Sequence, residues 1–442
     1  MIKLPEQVNK AICLLKNSGF EAYAVGGAVR DCLLGKVPFD WDITTSARPE
    51  ETEKVFCGER IIETGIKHGT VTVIIDGMPL EITTYRIDGD YTDHRHPQTV
   101  SFSDNLRDDL SRRDFTINTL CCNCDDKIID VFGGKDDLNN KTIRCVGDPD
   151  TRFSEDALRI MRAVRFSAEL GFKIEKSTSD SILKNRQLLS DVSKERLQIE
   201  FTKLITGKYA TDVIRKYHAV IEVFIPELAP LVECEQHTKY HKYNVFEHTL
   251  HAVDAIDFND RILRLTMFFH DFGKPDAKTT DENGTSHFKG HAVISEKKTR
   301  DILKRLKFDN NTINEVSKLV LIHDMKSPRD KIQAKKMMCS LGDETYLNLI
   351  KIKRADNMAK ADPHAIDEKL KNMRSFYEEI KASNECYNLK SLAVNGDDIK
   401  AFGIAEGKEI KSSLDFLLNG VIEGKCQNRK DVLLEYLKEN TK

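Results

Sequence analysis

In "AVGGAVRDCLLGKVPFDWDITT", residues 24 to 45, two aspartates, Asp40 and Asp42, are separated by one tryptophan. Their neighbours favour β structure, and on a strand residues two apart point to the same face. Two carboxylates side by side repel each other unless a cation lies between them. Such a pair fits a two-magnesium site for in-line attack on a nucleotide α-phosphate. One ion would activate the attacking hydroxyl, and the other would steady the triphosphate and its leaving group. Glu81, in the β-like "LEITTYR", could supply a third carboxylate from a neighbouring strand. Upstream, Gly26 and Gly27 lie between an apolar strand and a helix that carries Arg30. Glycines there let backbone N–H groups approach an anion, a helix N-terminus favours negative charge, and Arg30 could clamp a phosphate oxygen. Alone, the aspartates also read as a solvated strand end and the glycines as a turn; the combination points to a nucleotide.

Two further clusters extend this chemistry. "RRDFTIN" opens on two adjacent arginines, Arg112 the first, which can neutralise triphosphate charge; Asp114 and Asn118 can hydrogen-bond a ribose or order the loop. In "EDALR", Asp156 and Arg159 are three apart on an expected helix and share a face. Cytosine and adenine each present an exocyclic amine beside an unprotonated ring nitrogen, which an Asp acceptor and an Arg donor match. Guanine and uracil present the reverse and would leave both side chains unpaired. By themselves these clusters also fit a salt-bridged surface and an ordinary helical ion pair. Arg162 and Arg165 continue the basic segment, either toward phosphates or toward acidic neighbours.

These residues need a small mixed α/β framework. Short β-like runs ("EAYAVGG", "DITT", "VTVII", "PLEITTYR", "KIIDVFGG") alternate with turns up to about residue 145. From Phe153 onward the periodicity is helical: one helix is expected across "SEDALRIMRAVRFSAELGF" with Gly171 as its stop, another after Ser193. Val8, Ile12 and Leu15 mark a short amphipathic helix at the start. Eight of the thirteen histidines fall between His237 and His323, which suggests a separate chemical module. The 442 residues exceed one ordinary core, and a net charge of −3 requires any nucleic-acid contact to come from local basic clusters. No run is long and apolar enough to span a membrane, the N-terminal stretch lacks a signal peptide's apolar segment, and a cytoplasmic location is expected. The odd set of eleven cysteines suits reduced thiols. "CCNC" reads better as buried strand cysteines than as a zinc site.

In order, "GGAVRD…DWD", "DHRHP", "RRDFTIN", "DVFGG", "RFSEDALRIMRAVRF" and "ERLQIE" resemble the signature of class II tRNA nucleotidyltransferases, the bacterial CCA-adding enzymes and their poly(A) polymerase relatives. The resemblance is close over about residues 20 to 205 and looser beyond. It implies an α+β chain: a polymerase-beta-like head (1–145), a helical neck that selects the base (146–207), a helical body (208–382) and a helical tail contacting tRNA (383–442). It implies that Asp40 and Asp42 bind catalytic Mg²⁺ and that Gly26, Gly27 and Arg30 serve the phosphates. Arg112, Asp114 and Asn118 would contact triphosphate or ribose, and Asp156 and Arg159 would select the incoming base from CTP and ATP without a template. Asp93, Arg95 and Pro97 of "DHRHP" fall in a flexible loop that looks whole, favouring full CCA addition over CC addition. A-only addition and poly(A) synthesis are the nearer alternatives.

The histidine pattern, with His248 in "YNVFEHTLHAV", His270-Asp271, His291, His323 and Asp356, resembles the HD superfamily of metal-dependent phosphohydrolases, over about residues 237–360. By that resemblance His248, His270, Asp271 and Asp356 would hold one metal, and His291 and His323 would help bind a second. Imidazoles with a bridging carboxylate suit Mn, Fe, Co or Ni better than magnesium. His237, His241, His251 and His287 read as surface or core residues. Two alternatives of other classes follow: a phosphohydrolase acting on RNA ends or nucleotides, and a non-catalytic RNA-binding protein.

Overall fold

Val8, Ala11, Ile12 and Leu15 recur at helical spacing, and all four are fully buried beneath helix α1 (Glu6–Asn17). The apolar stripe docks this helix onto a sheet whose strands follow directly. The chain, seen here in a computed structural model, is described over residues 2–63, 65–66, 69–89, 99–404 and 407–440. It forms two units, residues 1–229 with 305–307, and residues 230–304 with 308–442.

In the first unit β1 (Ala22–Val25), α2 (Gly27–Leu33), β2 (Asp42–Thr45), α3 (Pro49–Val55), β3 (Arg60–Ile62), β4 (Thr70–Ile75) and β5 (Met78–Thr84) come first. A hairpin of β6 (Arg86–Asp88) and β7 (Val100–Phe102) follows, then α4 (Leu106–Ser111), β8 (Cys121–Cys122), β9 (Ile128–Ile129), α5 (Gly134–Asn139) and β10 (Thr142–Ile143). Seven strands make one sheet in the order β3-β4-β5-β2-β1-β8-β9. The β2–β5 pair is parallel and the other neighbours are antiparallel. Cys121 and Cys122 are the buried strand cysteines the sequence suggests. Asp93, Arg95 and Pro97, between β6 and β7, lie outside the described residues.

Helices α6 (Pro149–Glu155) and α7 (Leu158–Leu170), strand β11 (Lys173–Ile174), and helices α8 (Lys176–Asn185), α9 (Lys194–Ile205) and α10 (Ala210–Ile221) complete this unit. Gly171 ends α7 with a left-handed φ of +69°, as expected. The single helix expected across "SEDALRIMRAVRF" is instead two. Asp156 is extended (φ −133°, ψ 101°), and its carboxylate accepts the Leu158 N–H at 3.2 Å. The side chain offers the backbone a capping bond that competes with continuing the helix. Asp156 and Arg159 therefore do not share one helical face.

Beyond it lie α11 (Ala229–Val232), α12 (Val245–Asp254), α13 (Arg261–Phe269), α14 (Lys274–Ala277) and a small ribbon of β12 (Thr279–Thr280) and β13 (Ser286–His287). Helices α15 (His291–Arg305), α16 (Asn310–Ile322), α17 (Lys331–Leu341), α18 (Asp343–Met358), α19 (Asp367–Ala382), α20 (Gly396–Ala401), α21 (Lys408–Ile422) and α22 (Lys430–Asn440) follow. Fully buried Phe268, Phe269 and Phe272 pack edge-on or tilted around the end of α13 and hold its histidine in place. The sheet-containing head followed by helices is the α+β class expected. Among the described residues no helix is long and apolar enough to cross a membrane.

Candidate functional site

The parallel register of β2 and β5 sets Asp42 directly opposite Glu81. Asp40 lies two residues before Asp42, just ahead of the strand, and Trp41 between them is buried, 6% exposed. The tryptophan packs into the head while the aspartates remain outside its core. Burial pushes the Asp42 carboxyl up to about 6; nearby Arg113 opposes the rise, and the negative charges of Glu81 and Asp40 add to it. A divalent cation among three hard oxygen donors would relieve that repulsion, so the donor set fits magnesium.

Across the cleft stands a chain of polar groups. Arg30 donates from Nη1 to Asn118 Oδ1 at 2.8 Å; Asn118 Nδ2 donates to Asp114 Oδ1 at 2.9 Å; Arg162 Nη2 meets Asp114 Oδ2 at 2.6 Å. Burial works to raise Asp114, and Arg162 with the Asn118 hydrogen bond outweighs it, holding the carboxyl well below the usual range. Arg30, Arg162 and Arg165 gather over the Phe166 ring at 4.9, 5.4 and 3.8 Å. Asp40, Asp42 and Asp114 line a cleft of about 320 Å³ with these arginines, Arg113, Gly26 and Gly27, while Glu81 stands exposed on the neighbouring strand. Gly26 has φ +82°, and a Cβ there would lie 3.2 Å from Arg113 Nη1 and 3.8 Å from Asp42 Oδ2. Only glycine combines that backbone with an open passage between the cation and the carboxylate.

The structure redistributes some expected roles. The two adjacent arginines both meet the buried Asp109, Arg112 at 2.5 Å and Arg113 at 3.4 Å, but of the two Arg113 is the one that lines the cleft. Residue type alone does not separate the two. Asp156 and Arg159 are not bonded to each other: Asp156 meets Arg196 of α9 at 3.0 Å, and Arg159 is held by Glu155 at 2.7 Å and by the Arg112 carbonyl at 2.7 Å. Arg165 lines the cleft and also pairs with Glu200 at 2.6 Å.

A second cluster occupies the helical unit. His248 comes from α12, His270 and Asp271 from the end of α13, His291 from the start of α15, His323 from the end of α16 and Asp356 from α18. Each ring has Nδ1 on a backbone carbonyl: Ala359 at 3.2 Å, Met267 at 2.7 Å, Phe288 at 2.8 Å and Val320 at 2.6 Å, in the same order. Carbonyls only accept, so every Nδ1 carries its proton and every Nε2 turns a lone pair inward. His248 and His270 bring these nitrogens to 3.4 Å, His291 and His323 to 3.1 Å. Facing lone pairs at such distances call for a cation between them. Asp271 lies between the pairs, 3.0 Å from His270 and 3.4 Å from both His248 and His291. Both its carboxylate oxygens are buried without a hydrogen bond, although Lys274 Nζ stands 2.7 Å from one of them outside hydrogen-bond geometry. His248, His270 and Asp271 form one ligand group, and Asp271, His291 and His323 another. Asp356 joins through His248 at 3.0 Å. Without a metal ion, burial works to lower His270, but the carboxylates of Asp271 and Asp356 overcome it and raise the ring to about 9, so that a proton on Nε2 would take the place a metal ion fills when bound. Of the remaining histidines, His251 stacks on Tyr243 at 4.3 Å, and His241 bonds Thr238 at 2.9 Å.

Comparison with known proteins follows the same division. The family model for the poly A polymerase head domain matches residues 22–144. Those for an RNA and SrmB- binding site of polymerase A and for tRNA nucleotidyltransferase domain 2 match residues 171–231 and 279–437. The CCA-adding enzyme of Lactobacillus helveticus is 33% identical over 443 residues, covering 99% of this chain and 98% of that protein. That of Geobacillus kaustophilus is 34% identical over 442 residues, covering 99% and 97%. The crystal structure of the Bacillus stearothermophilus CCA-adding enzyme in complex with CTP superposes with a TM-score of 0.72 at 30% identity, covering 98% of this chain and 96% of that one. The Thermotoga maritima CCA-adding enzyme complexed with tRNA shares the fold, with a TM-score of 0.64 at 21% identity over 100% of this chain and 97% of that one.

Proposed function

The chain belongs to the family of CCA-adding enzymes, and on that premise we propose how its cleft performs nucleotide addition. The reaction is template-independent transfer of C, C and A to the 3′ end of tRNA from CTP and ATP. The observation that carries the reading is the register placing Asp42 against Glu81 beside Asp40, with Arg30, Arg113, Arg162 and Arg165 nearby. Asp40, Asp42 and Glu81 would hold the divalent metal, typically Mg²⁺, that this family uses. Held by these residues, such an ion would supply Lewis-acid chemistry, lowering the pKa of the attacking 3′-hydroxyl and offsetting charge on the leaving pyrophosphate. The 3′-oxygen forms a bond to the α-phosphorus as the bond to pyrophosphate breaks, and the hydroxyl proton leaves to solvent.

The arginines bind the triphosphate and offset its charge, and the Asn118–Asp114 link keeps two of them aimed. Gly26 and Gly27 leave room for the phosphates. Asp156 and Arg159 read the base edge once they exchange their present partners, Arg196 and Glu155, for the incoming nucleotide. Residues 1–145 act as the head, 146–207 as the neck, 208–382 as the body and 383–442 as the tail that contacts tRNA. Asp42→Ala is expected to abolish incorporation of labelled CTP into CCA-less tRNA while tRNA binding survives. Incorporation at the wild-type rate by that variant sinks the assignment.

A second reading concerns the histidine cluster, favoured by four inward Nε2 lone pairs around an unbonded Asp271 carboxylate. His248, His270, Asp271, His291, His323 and Asp356 form an HD-type site for two transition-metal ions, of Mn, Fe, Co or Ni, within about residues 237–360. The chemistry such ions supply is hydrolysis of phosphate esters. Metal analysis of the purified chain tests it: His248→Ala lowers bound transition metal if the reading holds and leaves it unchanged if it does not.

A further inference from the structure

Beside the histidine cluster lies a cleft of about 410 Å³, lined in part by two of the cluster's own residues, His323 and Asp356. Its walls carry five cations and only two carboxylates, Asp324 and Asp356, in a chain whose overall charge is −3. Lys353, on α18, and Lys360, just past the end of that helix, flank Asp356 at three and four residues. Lys360 is neutralised by Asp356 at 2.6 Å. Lys353 is half-buried and has no ion pair among the described residues; its ammonium donates to the His323 carbonyl at 3.3 Å. Lys326 and Arg329, between α16 and α17, and Lys369 on α19 stand exposed at the rim, also without an ion pair among the described residues. Half-burying an unpaired ammonium costs free energy, which a bound anion would recover.

We propose that this cleft is the anion-binding part of the histidine site and takes a compact ligand with at least two linked phosphates. Lys353 holds the inner phosphate beside the metals, and Lys326, Arg329 and Lys369 hold the outer one. One phosphate group carries a charge of about −1.5 to −2, which leaves part of this positive charge unmatched; a diphosphate matches it. The concave shape favours a small ligand over an extended RNA strand, and its volume falls within the range of small-molecule pockets. The assignment rests on the metal-site reading, and the two are tested by separate measurements.

The experiment uses the full chain, loaded with Co²⁺, and titrates it calorimetrically with pyrophosphate and with orthophosphate. The variants are Lys353→Met and, independently, the rim pair Lys326→Met with Arg329→Met, whose exposed positions leave the fold intact. Wild type is expected to bind pyrophosphate more tightly than orthophosphate, and each variant to lose roughly tenfold in pyrophosphate affinity. Cobalt content remains at the wild-type level in both. Comparing ADP with pyrophosphate across the same proteins separates a nucleotide from an inorganic ligand, because the head's own nucleotide site is common to all of them. Equal affinity for pyrophosphate in wild type and both variants overturns the cleft, as does equal affinity for the two anions. So does a loss of tRNA affinity with pyrophosphate binding untouched. Failure to retain cobalt, with pyrophosphate affinity still dependent on Lys353, overturns the metal reading and leaves the anion cleft standing.

Discussion

Asp42→Asn tests the electrostatics of the head without changing its shape. A carboxyl moved from its ordinary 3.8 to about 6 has an ionised form about 3 kcal/mol less favourable in the folded head than in the unfolded chain. Because the folded value is raised, the penalty is absent below about pH 3.8, grows between there and about pH 6, and is complete above. Asparagine cannot ionise, so in metal-free buffer at pH 7.5 the variant is expected to be more stable than wild type by up to about 3 kcal/mol. For a unit of this size that is roughly 6–10 °C in Tm. Near pH 4 the gain falls to a fraction of that. Calorimetric unfolding in EDTA at the two pH values reads both numbers, and the head transition is scored separately because the chain has two units. Added Mg²⁺ raises the wild-type midpoint more than the variant's, because the variant keeps only Asp40 and Glu81 as charged ligands. A variant no more stable than wild type at pH 7.5, or equally stabilised at both pH values, would refute the account of why these carboxylates are gathered.

Arg113 holds Asp42 down, so Arg113→Ala moves the acid limb of the pH–rate profile for CTP incorporation upward from about pH 6; an unmoved limb contradicts the pairing. Arg159→Ala relaxes base choice, allowing GTP or UTP to compete at least tenfold better relative to CTP, measured as ratios of kcat/KM; a uniform slowing with unchanged ratios contradicts base reading. His248→Ala lowers bound transition metal and leaves CTP incorporation within about twofold of wild type, because the residue lies outside the head cleft. Parallel losses of both would contradict that separation.

Much of the head was legible because its chemistry is carried by neighbours in sequence. One tryptophan between two aspartates sends its ring inward and keeps both carboxylates outside the core. Val8, Ile12 and Leu15 disclose the first helix by spacing alone. The alignment of Glu81 with Asp42 depends on strand order and register, which sequence patterns leave open until the parallel β2–β5 pair is seen. The break at Asp156 had a readable signal, since aspartate before a helical run is a favoured cap. The strong apolar period on both sides hid it. Both Arg112 and Arg113 pair with Asp109, and only the tertiary structure shows that Arg113 also lines the cleft beside Asp42. Three of the four histidines rest Nδ1 on the carbonyl three residues earlier, and only His248 uses a distant one, Ala359; that the four rings then face one another depends on the packing of separate helices, which no spacing rule contains.

The most direct measurement is the sequence of the 3′ ends made from transcripts of one tRNA lacking CCA, incubated with CTP, ATP and Mg²⁺. Growth by C, C and A followed by arrest is expected, with a single A added to transcripts that already end in CC. Ends that stop after CC, continue into a run of adenosines, or do not grow at all would contradict CCA addition.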